Sequence, residues 1–547
     1  MDSFQFLRRR TTDLLSAVGD SIPPLSSLQA GSTTLKGTWE RISVPPLPRS
    51  SHSVDVVGGA AYVFGGEMAP RQPVDNDMHA VVLPASGAPA DYYAIKAKPT
   101  GAAAAASATA PPAAADESKG LLSDIPLDAE EGATKVDKGK GREEPTAALG
   151  DVPTPRVGHA TGVIGNRIFL FGGRAGPESK PLDEHGRVWV FDTRTQKWSY
   201  LDPAKPVAPG AASLSAVPAP RSYHCSATSD KPRDFSRGAH HHHTKATTKV
   251  GAWRDWALGT ETEAIGTPQD PIVGSIADRA RDVDADGYGT FIIHGGCLDE
   301  GRASDVWAFD VHSRVWQKLP DAPGKPRGGA SLALSNGRLY RFGGFDGERE
   351  EGGQLDFLEL GVDTFNDAVS AGEVSLVARG AWQSLLQGQE NVGYKEEDNA
   401  ATPRAGDDQW PGPRSVASMH AVTVGGGHEY LLVALGEGQQ SGTGHEGAGR
   451  HWDDVWAFQI PQSGMSALAV KDSVLSVVGR KNAGGKWTKV EMGPYDDEDD
   501  ASVPGPGPRG WLASGVVTDL EDNGVVIWGG LNDDNKRMGD GWILRLG

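Results

Sequence analysis

The chain has 547 residues, 72 of them glycine, only two cysteines and a formal net charge of −19. That acidic balance excludes the basic footprint of a nucleic-acid-binding protein and fits a soluble one. Cys225 and Cys297 are too few for a disulfide framework, so a reducing compartment, the cytoplasm, is expected, and no stretch is apolar and long enough to span a membrane.

Residues 1–36 read as a tail or short helix. Phe4 to Val18 has weak amphipathic spacing around Arg8-Arg9-Arg10, but it lacks the apolar run of a signal peptide and carries Asp2 and Asp13. Gly37 to Ile42 (GTWERI) then reads as a strand with no local partner. From Arg49 onward one pattern recurs over 37–547. Pro-Arg opens a first strand at Arg49, Arg156, Arg221, Arg327, Arg414 and Arg509. A second strand ends in a glycine pair at Gly65-Gly66, Gly172-Gly173, Gly295-Gly296, Gly343-Gly344 and Gly529-Gly530, with Gly436-Glu437-Gly438 as the degenerate fifth copy. Third strands alternate in the manner of DVWAFD, Asp305 to Asp310, and fourth strands carry Trp198, Trp316, Trp382 and Trp487. Tyr92-Tyr93 stands in the fourth strand of the first copy, and the last copy stops after its third strand.

Between the copies lie stretches of another kind. Residues 99–152 are rich in Ala and Pro and then charged, and 229–286 hold four histidines, His240 to His243; neither composition can bury a core, so both are expected to be disordered insertions. Acidic links are read near Glu396 to Asp408 and at Asp496 to Asp500.

A period of roughly 50 residues, four strands and a glycine doublet resembles the kelch repeat, the unit of a β-propeller. The resemblance implies an all-β, six-bladed kelch-type propeller, its ring closed by the N-terminal strand in the last blade. Glycine at the doublet lets backbone approach closely, and the tryptophans are expected as wedges between blades.

Repeat geometry places Arg49, Arg156, Arg221, Arg327, Arg414 and Arg509 as a ring at one mouth of the central channel. Their planar forks suit a carboxylate or phosphate, so an acidic or phosphorylated tip of a protein or peptide partner is expected there; the alternative is that each arginine braces its own blade. His52, His159 and His224 follow three residues later, as in the kelch PRxxH pattern, and are read as packing residues. Asp282, Asp284 and Asp286, with Gly287 in sixth place, match the start of a calcium loop, although Thr290 replaces the acid that calcium loops of integrin-like propellers carry ninth. Ca2+ is therefore the one cofactor considered. Asp75 and His79 have the spacing of the iron motif of kelch-like specifier proteins, but Arg71 stands where that motif has an acid.

No constellation of nucleophile, base and orienter emerges. The leading reading is a non-catalytic interaction scaffold or adaptor. The alternative is a metal-dependent enzyme or specifier-type protein with a site in the central channel.

Overall fold

Alternating strands and tight turns fold into six sheets of four or five strands, antiparallel but for one parallel pairing in the last, arranged in chain order as the blades of a propeller. The structure is a computed structural model and describes residues 35–85, 88–100, 149–176, 178–204, 217–231, 288–364, 374–388, 410–424, 427–442, 447–461, 485–495, 505–518 and 523–547. Residues 1–34, most of 99–152 and 229–286, and the acidic links fall outside it.

Local chemistry sets each blade. Blade two is built from Ala160–Ile164, Arg167–Phe171, Val188–Asp192 and Lys197–Leu201. Asp192 ends its third strand and accepts the N–H groups of Arg194 and Thr195, each at 2.9 Å, which turns the chain into the fourth. Gly58-Gly59 and Asn336-Gly337 join first to second strands in blades one and four with positive φ at both residues, the turn that matches strand twist.

The core lies between blades. Each apolar cluster draws on two neighbours: Phe64 and Trp198 bridge blades one and two, and Phe171 and Trp316 bridge two and three. Trp198, Trp316 and Trp487 sit 5.1, 5.1 and 5.5 Å from Phe64, Phe171 and Phe342 of the preceding blade. A wedge of this kind is worth about 3–5 kcal/mol against alanine. Trp382 differs. It is only partly buried against the cluster between blades three and four and donates to the Pro320 carbonyl, and the third strand Gln354–Thr364 is flanked by both Val374–Ala378 and Gln383–Leu386.

Lys36–Ile42 pairs antiparallel with Gly541–Leu546, the third strand of blade six, and parallel with Glu491–Pro494 on its other edge. Trp39, 3% exposed, meets Trp542 edge-on at 6.5 Å.

The blades are stitched by the glycine pairs. The second member donates its N–H to the arginine carbonyl of the next blade: Gly66 to Arg156, Gly173 to Arg221, Gly296 to Arg327, Gly344 to Arg414, Gly436 to Arg509 and Gly530 to Arg49, all at 2.8–2.9 Å. A Cβ on Gly172 would lie 2.6 Å from the Arg221 carbonyl and 2.9 Å from the His224 ring, so this position needs glycine twice over, for φ and for space. The fifth pair corrects the sequence reading: it is Leu435-Gly436, not Gly436-Glu437-Gly438. Leu435 takes φ +60 itself. Blade six carries Leu512 where blades one to three carry histidine, so no imidazole approaches that site.

Candidate functional site at the axial mouth

The residues two places after each arginine meet around the axis. Ser51 donates to the Trp511 carbonyl, Trp511 to Val416, Val416 to Gly329, Gly329 to Tyr223, Tyr223 to Gly158 and Gly158 back to Ser51, at 2.6–3.2 Å. All six take positive φ, including Val416 at +44, which is costly for a β-branched residue. The closed cycle over-determines it. Tyr223 and Trp511 come from opposite blades and meet edge-on at 5.3 Å across the centre. Together the belt and these rings floor a cavity of about 380 Å³.

The arginine ring lies elsewhere, and the expected role is corrected. Arg49, Arg156, Arg221, Arg327, Arg414 and Arg509 are all at most 5% exposed. Each donates to the carbonyl that ends its own second strand, at 2.9–3.2 Å. Arg156 forks onto Glu184, Arg221 onto Asp305, Arg414 onto Asp454 and Arg509 onto Asp540. Arg327 has Glu351 at 3.9 Å, and Arg49 meets His79 Nε2 at 3.2 Å. Buried forks filled by carbonyls and acids are struts, because removing a ligand for each would leave an uncompensated internal charge. His159 and His224 pack edge-on against Phe64 and Phe171. Burial, then the Arg156 charge, pulls the His159 pKa down to about 3.

Asp282, Asp284 and Asp286 lie outside the described residues, as do His240 to His243. Asp75 and His79 approach to 3.4 Å, yet both ring nitrogens of His79 are engaged, Nε2 beside Arg49 and Nδ1 beside the Tyr92 hydroxyl at 2.9 Å. Among the described residues no group of three His, Cys, Asp or Glu side chains could hold a metal ion.

The chemistry of the cavity comes from residues that the repeat does not carry. Directly after the six pairs stand Glu67, Arg174, Cys297, Phe345, Glu437 and Leu531, so the residue type changes at every step around the wall. Glu67 is bridged to Arg537 at 3.4 Å. Arg174 donates to Ser222 Oγ at 2.8 Å and lies over the Tyr223 ring. Arg302 lies over Phe345 at 4.9 Å. Glu437 Oε2 accepts Trp511 Nε1–H at 3.0 Å. Glu350 has no hydrogen-bond donor at Oε2. Burial, reinforced by the Glu437 charge, pushes the Glu350 carboxyl up to about 8; burial also pushes Glu437 up to about 7 and the Tyr223 hydroxyl to about 12. None of these residues was singled out from sequence. The signal available was the variation just after each glycine pair.

A family model, the kelch motif, matches residues 155–204, the whole of blade two. The chain is 24% identical over 413 residues to the N-(sulfonatooxy)prop-2-enimidothioate sulfolyase of Thlaspi arvense, covering 73% of this chain and 94% of that protein. It is 27% identical over 206 residues to kelch domain-containing protein 3 of Bos taurus, covering 36% of this chain and 49% of the relative. A 50-residue stretch is 42% identical to tRNA wybutosine-synthesizing protein 2/3/4 of Oryza sativa subsp. japonica, 9% of this chain and 4% of that one. The chain thus spans about half the length of the second relative and a small part of the third.

Proposed function

Starting from a chain that belongs to the kelch-repeat β-propellers, we propose that the protein is a non-catalytic interaction scaffold whose axial mouth takes the tip of a protein or peptide partner. The observation that carries this reading is the blind socket: a hydrogen-bonded belt and two crossed aromatic rings floor a cavity about 380 Å³ in volume. A socket whose shape is fixed without its partner loses little order on binding. Cytoplasmic placement belongs to the same proposal and is supported by two free cysteines. The acidic or phosphorylated tip loses its support, because the six arginine forks are filled from within.

The test is recovery of partners by the intact chain. Arg302→Ala with Gln440→Ala at the mouth is compared with Lys197→Ala on an outer strand. Recovery of the principal partner should fall severalfold for the mouth pair alone; equal recovery from all three proteins removes the mouth from the account.

A second reading, a metal-dependent enzyme or specifier-type protein using the same cavity, is favoured by the match that spans 94% of a sulfolyase. Tightly held stoichiometric metal in untagged protein, together with turnover abolished by its removal, would decide for it.

A further inference from the structure

The socket holds two buried carboxylates that make no ion pair among the described residues. Glu350 and Glu437 both line the cavity and are 9% and 6% exposed. Other buried or partly buried acids near the axis have a cation: Glu184, Asp305, Asp454 and Asp540 each hold an arginine, and Glu67 holds Arg537, while the cavity-lining Asp299 is exposed to solvent. Glu350 has no donor at Oε2, and no ion pair is made by either Glu350 or Glu437 among the described residues. Two acids buried side by side without a counter-charge are costly unless something supplies one. The arginines at the rim make no ion pair with either, and Arg302 alone offsets part of the Glu350 charge. Arg174 is committed to Ser222 and Tyr223, Arg302 to the face of Phe345, and Arg537 to Glu67. The Trp511 ring, which donates to Glu437 and lines the same cavity, suits a cation, since a ring face attracts positive charge.

We propose that the tip accepted by the socket is a cationic side chain, a lysine or arginine of the partner, seated between Glu350 and Glu437 with its stem against Phe345 and Trp511. This rests on the scaffold reading above and gives the partner's tip the opposite charge from the one the arginine ring suggested. The groups that face Glu350 are Glu437 and Asp346, which add to its demand for a cation, together with Ser415 and Arg302, which partly meet it.

The full chain is titrated by fluorescence polarisation with labelled Gly-Ser peptides that differ only in a central arginine, glutamate or phosphoserine. The arginine peptide should bind. Its affinity should fall about tenfold or more in Glu350→Gln plus Glu437→Gln, whose folding is checked by thermal melting, because the loss is that of a desolvated charge pair. It should also rise between about pH 6 and about pH 9, as the carboxyls at about 8 and about 7 ionise while guanidinium stays charged. That rise should vanish in the double variant. Preference for the glutamate or phosphoserine peptide, arginine affinity unchanged by the double variant, or no binding near millimolar concentration each overturns the cationic tip. None of these outcomes decides the scaffold reading, which falls only if Arg302→Ala with Gln440→Ala leaves partner recovery unchanged.

Discussion

Two sets of buried charges sit within a few residues of each other near the axis, and they have opposite meanings. The six arginines recur in every blade, and so do the carbonyls that receive them; four also have the same kind of acid partner. Glu350 recurs in no other blade, Glu437 has its only counterpart in Glu67 of blade one, and neither makes an ion pair among the described residues. A residue that a repeat copies arrives with its local partner copied too, so its charge is spent inside the blade. A residue that only one or two blades carry has no such guarantee, and its unmet valence is left for something outside the chain. In a repeat protein the repeated charge is therefore architecture, and the unrepeated buried charge is the site.

The contrast is sharpened first by breaking architecture at its largest element. Deleting residues 1–44 removes Trp39 and Ile42, both 3% exposed, and strips Gly541–Leu546 and Glu491–Pro494 of their shared neighbour. The expected loss is about 4–6 kcal/mol of unfolding free energy from these two side chains alone. Deleting 1–30 should cost less than about 1 kcal/mol. Denaturant titration of the two truncations measures the difference, and equal midpoints would show that the strand does not hold the ring.

A smaller effect separates the two sets by pH. Buried histidines are held neutral: His159 and His294 are drawn down to about 3 and His420 to about 4, chiefly by burial. Their folded pKa lies below the unfolded one near 6.5, so the unfolded state takes up protons first and stability is lost as pH falls below about 6.5. The acids behave in the opposite sense. Burial raises Glu350 to about 8 and Glu437 and Asp55 to about 7, so the folded state keeps protons longer and stability is lost as pH rises from about 4.5 toward 8. Between about 4.5 and 6.5 the two oppose each other, and above 6.5 the acids act alone. Stability should peak near pH 6.5, and in Glu350→Gln plus Glu437→Gln the alkaline decline should flatten while the acid limb stays. Thermal melts across pH 4 to 9 read both limbs, and an alkaline limb unchanged in that variant would mean the two glutamates titrate normally.

Much of the architecture was legible because a period of four strands repeats its own punctuation. Pro-Arg, the glycine doublet and the fourth-strand tryptophan fixed blade order and the wedge positions of Trp198, Trp316 and Trp487. Two copies misled where they departed from the pattern. In blade five a second glycine, Gly438, made the wrong pair look right, while Leu435 adopted the glycine conformation in a space that blade six leaves open. In blade four Trp382 is only partly buried: Asp356 occupies the tryptophan place in the third strand and pairs with the buried Arg341 at 2.5 Å, and Trp382 lies against that guanidinium. The site was not legible. The arginines announced themselves by repetition, and that repetition pointed away from binding. Glu350 and Glu437 carry no local signature, since their lack of an ion pair is a property of the assembled ring.

The most direct measurement sets one member of each class side by side in the same protein. Arg221→Ala empties a buried arginine site and leaves the partly buried Asp305 with the Trp307 indole in place of its fork, and Glu350→Gln plus Glu437→Gln keeps shape while removing charge. Unfolding free energy and arginine-peptide affinity are measured for both. Arg221→Ala should lose about 3–5 kcal/mol of stability and bind normally per folded molecule, whereas the double glutamine protein should be at least as stable as the parent at pH 8 and lose about tenfold or more in affinity. The account is contradicted if Arg221→Ala is nearly as stable as the parent but binds poorly, or if the double glutamine protein unfolds more easily and binds as before.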